Sequence, residues 1–282
     1  MNLSVVIITF NEEANMGRTL ASVEPLVADG KGEIIVVDSG STDRTVEIAK
    51  SFGAKVFVEE WKGYAAQKNS ATDKAQGNWI LSLDADEEVD SELLRELTGQ
   101  AEAAPPSRGS SREWCLTMGG SKEALAGSPV GFYIRRKNYF LGRWIHHGGF
   151  WPDPKLRLFR RGIGTFERRA VHEDVRVSGP TSTIPRGALI HHSYPTLSDY
   201  IEHMNRYSSL GAEMVVAKGR VRFSLVNIVL RPLFTFLYNY FFRLGFLDGR
   251  EGLLLHLYHA VYVSWKYAKA WELSRRKDTL SS

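Results

Sequence analysis

Two carboxylates one residue apart, Asp84 and Asp86, close the apolar run Trp79-Ile80-Leu81-Ser82-Leu83. The run reads as a buried strand, with Gly77-Asn78 as the turn before it. In extended backbone, positions i and i+2 point to the same side, so both carboxylates can approach one hard cation. Oxygen ligands suit Mg²⁺ or Mn²⁺, which keep positions open for phosphate oxygens. The chemistry would be that of a metal-held diphosphate at the carboxyl end of a parallel strand, where open α/β sheets place ligands. The same Asp86-Glu87-Glu88 run also reads as a polar strand end that caps a following helix.

Other residues extend the first reading. Asp38 ends a second apolar strand and opens Ser39-Gly40-Ser41-Thr42-Asp43. It could meet a ribose hydroxyl or a base N–H, or simply shape a turn. Arg157, in Lys155-Leu-Arg-Leu-Phe-Arg-Arg, points opposite Leu156 and Leu158; inside a site it could bind phosphate, and outside one it is an exposed strand charge. Val171-His172-Glu173-Asp174-Val175 is a second acidic cluster, able to take a proton from a hydroxyl or to form a charged turn. His191 and His192 adjoin in a strand, so at most one of them faces a metal; His192 is the candidate, and a packing or surface role for each is the other reading. Leu141 to Trp151 is rich in rings with polar edges, which suit a sugar and also pack ordinary loops.

The elements that must position these groups alternate. Leu3 to Thr9 is a continuous β-branched run, as expected of a parallel strand buried on both faces. A helix follows with Met16, Leu20, Val23 and Leu26 on one face; Asn11 is placed to cap it. The strand at 34–37, a helix at 44–52, a strand at 54–58 and a helix at 63–75 then lead into the strand at Trp79. This alternation predicts a parallel sheet built from right-handed βαβ units. No Gly-x-Gly-x-x-Gly and no phosphate-binding loop with Lys-Ser/Thr follows either of the first two strands, which disfavours dinucleotide and P-loop folds.

Composition sets bounds. The 282 residues are 43% hydrophobic and 24% charged, enough for one large α/β domain with an appendage. A net charge of +4 permits an anionic substrate or membrane surface without implying nucleic acid. The single cysteine, Cys115, excludes an intrachain disulfide and a cysteine-cluster metal site. No cleavable apolar leader precedes Leu3 and no uncharged apolar run is long enough for a classical transmembrane helix. Residues 101–111 read as a surface loop. Residues 197–217 read as a helix, and two aromatic-rich apolar segments, 223–247 and 253–271, are flanked by basic residues. That pattern suits an interfacial membrane segment, and equally helices packed on the catalytic domain or on a dimer partner.

Taken together and in register over Leu3 to Asp90, four motifs resemble the family 2 glycosyltransferases of the GT-A fold. They are Thr-Phe-Asn-Glu-Glu after strand one, Val-Asp-Ser-Gly-Ser-Thr-Asp after strand two, Lys68-Asn69 in a helix, and Asp-Ala-Asp. The resemblance implies an α/β fold with a mostly parallel, Rossmann-like central sheet flanked by helices and a C-terminal helical extension. It places nucleotide binding on Thr9, Asn11, Glu12 and Asp38, with Lys68 reaching the nucleotide, and gives Asp84 and Asp86 the divalent metal on the sugar diphosphate. It points to Glu173 as the base of an inverting transfer, with Asp174 as competitor. It divides the chain into a catalytic domain over 1–195, with nucleotide-sugar binding in 1–90 and the acceptor part in 130–195, and an extension over 196–282. Phe246-Leu-Asp-Gly-Arg-Glu-Gly resembles the tail of bacterial lipopolysaccharide-core glucosyltransferases. That implies a UDP-sugar donor, most simply UDP-glucose, and a lipid-linked saccharide acceptor at the inner face of the cytoplasmic membrane. Rival acceptors are a polyprenyl phosphate or an exopolysaccharide intermediate. A nucleotidyltransferase would want a Gly-rich basic loop after strand one, which Phe10-Asn11-Glu12-Glu13 does not supply. A non-catalytic surface scaffold that binds a nucleotide sugar is the alternative from another class.

Overall fold

The computed structural model describes residues 2–99, 128–167, 174–219 and 221–281. They fall into two compact units. The first holds the residues up to 136 together with 154–167 and 174–191; the second holds 137–153 and the chain from 192 onward.

The chain opens as expected, with β1 (Leu3–Thr9), α1 (Glu13–Val27), β2 (Gly32–Asp38), α2 (Thr45–Ser51), β3 (Lys55–Val58), α3 (Tyr64–Asp73) and β4 (Trp79–Asp84). The continuous apolar character of β1 has a direct cause. Leu3, Val5 and Ile7 pack on one side with Met16, Leu20 and Val23 of α1. Val6 and Ile8 pack on the other with Ala65 and Ala71 of α3. A strand covered on both faces has no polar side to show. Leu20 is fully buried, and truncating it to alanine costs about 2–5 kcal/mol.

After β4 come a short β5 (Glu87–Val89) and α4 (Ser91–Thr98). Asp90, not Asp86, caps α4: its Oδ1 accepts the Leu93 amide at 2.8 Å, and left-handed Gly99 ends the helix. The cap reading of Asp86 therefore falls, and its carboxylate is left for other work. Next are β6 (Gly131–Ile134), β7 (Arg136–Phe140), β8 (Arg143–Trp144), β9 (Lys155–Arg160), β10 (Gly164–Glu167), β11 (Asp174–Val177), β12 (Thr181–Thr183) and β13 (Leu189–Tyr194).

The main sheet has the order β12-β6-β9-β4-β1-β2-β3. β1 pairs in parallel with β2 and β4, and β2 with β3. The sheet departs from pure βαβ winding at β9, which runs antiparallel to both β4 and β6. That reversal starts β9 at the end of the sheet where β4 finishes, and so delivers Arg157 beside Asp84.

In the second unit, α5 (Leu197–Val216) starts in a capping box in which Thr196 and Asp199 satisfy each other's backbone amides. Phe140 and Ile145 bury with Tyr200 of α5 and with Leu255, on α7 (Gly249–Ser281). This packing is why residues 137–153 belong with the helical part, whereas the boundary read from sequence, 195/196, leaves them outside it. Between α5 and α7, residues 226–242 are helical throughout, with α6 (Arg231–Leu237) flanked by wider π-type turns at Val226–Leu230 and Tyr238–Phe242. Among the described residues no helix is long and apolar enough to cross a membrane.

Candidate active site

The loops after β1 and β2 are tied to each other before any ligand is considered. Asn11 has a left-handed backbone, φ 53°. Its amide donates to Ser41 Oγ at 2.8 Å and its Oδ1 accepts the Thr42 amide at 2.8 Å. Asn11 does not cap α1 as its position suggested; Glu12 occupies that position, and no side chain caps the helix. The Glu12 amide instead donates to Thr45 Oγ1 at 2.8 Å, and the Glu13 amide to Asp43.

Asp38 is buried, and its carboxylate accepts the amides of Gly40 at 2.9 Å and Ser41 at 2.8 Å as well as the Ser41 hydroxyl. The turn-shaping role weighed for Asp38 is thus the one its contacts display. At the same strand ends, Thr9 Oγ1 and Ser39 Oγ are buried with no hydrogen-bond partner among the described residues. Buried hydroxyls are normally paired, so two orphans side by side leave donor and acceptor capacity for a polar ligand.

The Asp84–Asp86 loop is the electrostatic centre of this unit. Lys68 Nζ lies 2.7 Å from Asp84 Oδ1 and 5.6 Å from the centroid of the Phe166 ring. Arg157, almost fully buried, pairs with Asp84 Oδ2 and lies 2.7 Å from Glu87 Oε1. Burial raises the Asp84 pKa, but the charges of Arg157 and Lys68 overcome it and hold the carboxyl well below the ordinary range. Asp86 behaves in the same way on a smaller scale. Burial raises it, and His191, 3.2 Å away, brings it down. Glu12 goes in the opposite direction: burial pushes it up, its bond from Asn15 eases it, and nearby Asp86, Asp43 and Asp84 push it further.

Two placements differ from the sequence reading. It is His191, not His192, whose ring meets Asp86; alternation along β13 turns His192 the other way, onto the Tyr139 ring at 5.5 Å between centroids. Arg157 is buried and paired with Asp84 and Glu87, where the sequence offered phosphate or an exposed strand charge. Glu173 lies outside the described residues, and of Asp174 only its backbone place at the start of β11 is described.

Glu87 is the residue that sequence reasoning passed over. It is completely buried, accepts from Arg157 and from Arg136 at 3.2 Å, and takes the Asp84 amide at 3.1 Å. The available signal was its place directly after Asp-Ala-Asp. The loop is also held from α1: Thr19 Oγ1 donates to the Ala85 carbonyl at 2.7 Å, Ser22 Oγ accepts the Val89 amide at 3.1 Å, and Arg18 pairs with Glu88.

Among the described residues, no three His, Cys, Asp or Glu side chains gather to hold a metal on their own. Asp86 and His191, 3.2 Å apart, are two donors that fit an open site, with Asp84 paired to Lys68 and Arg157. In such a site a hard divalent cation takes its remaining oxygens from a substrate phosphate. The cations Lys68 and Arg157 beside the carboxylates suit the same anion.

Residues 4–162 match the model of a family described as Glycosyl transferase family 2. The chain is 30% identical over 278 residues to the lipopolysaccharide core biosynthesis glycosyltransferase LpsC of Rhizobium meliloti (strain 1021), covering 96% of this chain and 92% of that one. It is also 30% identical over 276 residues to an uncharacterized glycosyltransferase of Rickettsia typhi, covering 96% and 87%. Among solved structures it is similar to glucosyl-3-phosphoglycerate synthase from Mycobacterium tuberculosis in complex with Mn²⁺, uridine diphosphate and phosphoglyceric acid. That match has 31% identity over 31% of this chain and 34% of that one, with a TM-score of 0.28.

Proposed function

The chain belongs to glycosyl transferase family 2, and we propose that the transfer it catalyses is inverting and metal-dependent. The donor would be a UDP-hexose, most simply UDP-glucose, and the acceptor a lipid-linked saccharide such as the lipopolysaccharide inner core. The observation that carries the donor half is the cluster in which Asp84, Asp86, His191, Lys68 and Arg157 converge at the carboxyl end of β4.

In this reading Thr9, Asn11, Glu12 and the Asp38 loop receive the nucleoside, the orphaned hydroxyls of Thr9 and Ser39 finding partners there. Asp84 and Asp86, with His191 beside Asp86, would hold Mg²⁺ or Mn²⁺. When bound, the cation supplies positive charge to the departing diphosphate. Lys68 and Arg157 stand close enough to share that anion once it competes with Asp84 for them. Glu173 takes the proton of the acceptor hydroxyl as it attacks the anomeric carbon, with Asp174 the competitor for that role. The bond to the diphosphate breaks as the new glycosidic bond forms, which inverts the anomeric centre.

The acceptor half is supported by the likeness to a protein named for lipopolysaccharide core biosynthesis. A lipid-linked acceptor places the enzyme peripherally at the inner face of the cytoplasmic membrane.

The test is a panel of UDP-, GDP- and ADP-sugars, with and without Mn²⁺, on the wild type and on Asp86→Ala. Slow, metal-dependent UDP release from one sugar, lost in the variant, is the expected result. No metal-dependent binding to any sugar nucleotide would overturn the reading. Glu173→Gln should abolish transfer and spare donor binding; unchanged turnover would move the base to Asp174.

A further inference from the structure

The helical stretch between α5 and α7 keeps an apolar side exposed. From Val226 to Phe242 the exposed positions recur at intervals of three and four, the period of one helix face. That exposed face is apolar. Val226, Leu230, Phe234, Leu237, Phe241 and Phe242 lie on it, with Phe242 78% and Phe234 66% exposed. The less exposed side mixes Asn227, Thr235 and Asn239 with Ile228, Phe236 and Tyr240, and the Ile228 carbonyl accepts from Ser264 of α7 at 2.8 Å. The turn that follows keeps Leu244, Phe246 and Leu247 exposed as well. Single exposed apolar side chains are ordinary; a continuous stripe of this length marks a surface that something else covers.

Charge selects the occupant. From Phe223 to Leu247 the sequence contains no Asp or Glu, and its only ionised side chains are Arg231 and Arg243. Both are exposed, as are Arg222 and Arg250 at the two ends. A second copy of the chain, related by a two-fold axis, would bring these arginines toward their own equivalents with no acid to meet them. An anionic lipid surface meets both demands. Acyl chains take the aromatic and aliphatic stripe, and phosphate headgroups take the arginines.

We propose that the face running from Phe223 through Phe242 to Leu247 is a monotopic docking surface for anionic phospholipid, lying in the plane of the membrane. This deepens the membrane part of the proposed function and rests on it.

The experiment is co-sedimentation of the full chain with vesicles of phosphatidylethanolamine and phosphatidylglycerol, against vesicles of phosphatidylcholine. It compares the wild type with Phe234→Glu/Phe242→Glu and with Arg222→Gln/Arg250→Gln. Light scattering of each protein after gel filtration and Mn²⁺-dependent UDP-sugar binding in solution are measured on the same samples. The wild type should bind the anionic vesicles, more weakly in high salt, with the aromatic pair losing about tenfold or more in partitioning. The arginine pair should lose most of the preference for anionic over neutral vesicles. Equal sedimentation of the wild type and the Phe234/Phe242 variant would overturn the docking face. So would a wild type that ignores vesicles and forms a dimer which the same variant dissociates, since a second copy would then be the cover. UDP-sugar binding retained throughout would keep either failure separate from a failure of the transferase reading.

Discussion

His191 Nε2 lies 3.2 Å from Asp86 Oδ2, on the strand that also pairs with the residues just beyond the Asp-Ala-Asp turn. An imidazole so placed either shares the cation or fixes the carboxylate that binds it. His191→Ala should therefore raise the Mn²⁺ concentration needed for UDP binding by about 10–100-fold. A Mn²⁺ titration followed by nucleotide fluorescence reads this directly, with His192→Ala as the comparison that stays near wild type. Equal midpoints for the two variants would remove His191 from the site.

Glu87, fully buried, shares Arg157 with Asp84 and accepts from Arg136 as well. Glu87→Ala removes one of the two carboxylates that meet buried Arg157 and should cost about 1–3 kcal/mol of stability. Urea unfolding of Glu87→Ala and Glu87→Gln measures it, the amide being the milder change because it still offers an acceptor. A loss under about 1 kcal/mol for the alanine variant would mean that the arginine finds another partner.

Asn11 holds a left-handed backbone and bridges two loops, and the two roles separate by substitution. Asn11→Gly keeps the backbone and loses only the side-chain bond to Thr42. Asn11→Val loses the bond and adds strain, so it should be about 1–2 kcal/mol the less stable of the two. Thermal unfolding ranks them; equal midpoints would show the loop relaxing to an ordinary φ.

Glu59 provides a pH signature remote from the Asp84–Asp86 loop. Hydrogen bonds from Lys74 first, then Ser70, lower its pKa from 4.5 to about 2. A folded value below the unfolded one contributes stability that is complete above pH 4.5 and is lost as the pH falls through 2. Because the pair lies near the surface, screening limits its worth to about 1 kcal/mol. Urea midpoints of wild type and Glu59→Gln should differ at pH 7 and converge as the pH drops toward 2. A constant gap would trace the difference to packing instead.

The alternation of strand and helix up to Asp84 was legible because each element carries its own periodicity. The strand ends came with it, since an α/β sheet fixes where they gather. What the sequence hid depends on partners far along the chain. Arg157 was visible as a cation facing away from Leu156 and Leu158, but its pairing with Asp84 follows from the reversed direction of β9, which no local pattern encodes. The choice between His191 and His192 turns on the register of β13 against β5, where one step exchanges the faces. Residues 137–153 read as part of the catalytic portion because the contacts of Phe140 and Ile145 with Tyr200 and Leu255 span more than fifty positions. The Phe223–Leu247 stripe was legible as apolar and aromatic, whereas its outward orientation required the fold.

Helix α1 begins at the loops that follow β1 and β2 and, within three turns of its start, grips the Asp84–Asp86 loop through Thr19, Ser22 and Arg18. One helix thus holds both sets of loops. A substitution that unravels the start of α1 therefore loosens the Asn11–Thr45 contacts and the Asp84–Asp86 loop together. Thr19 and Ser22 reach Ala85 and Val89 across 66 and 67 residues of sequence, from one side of one helix.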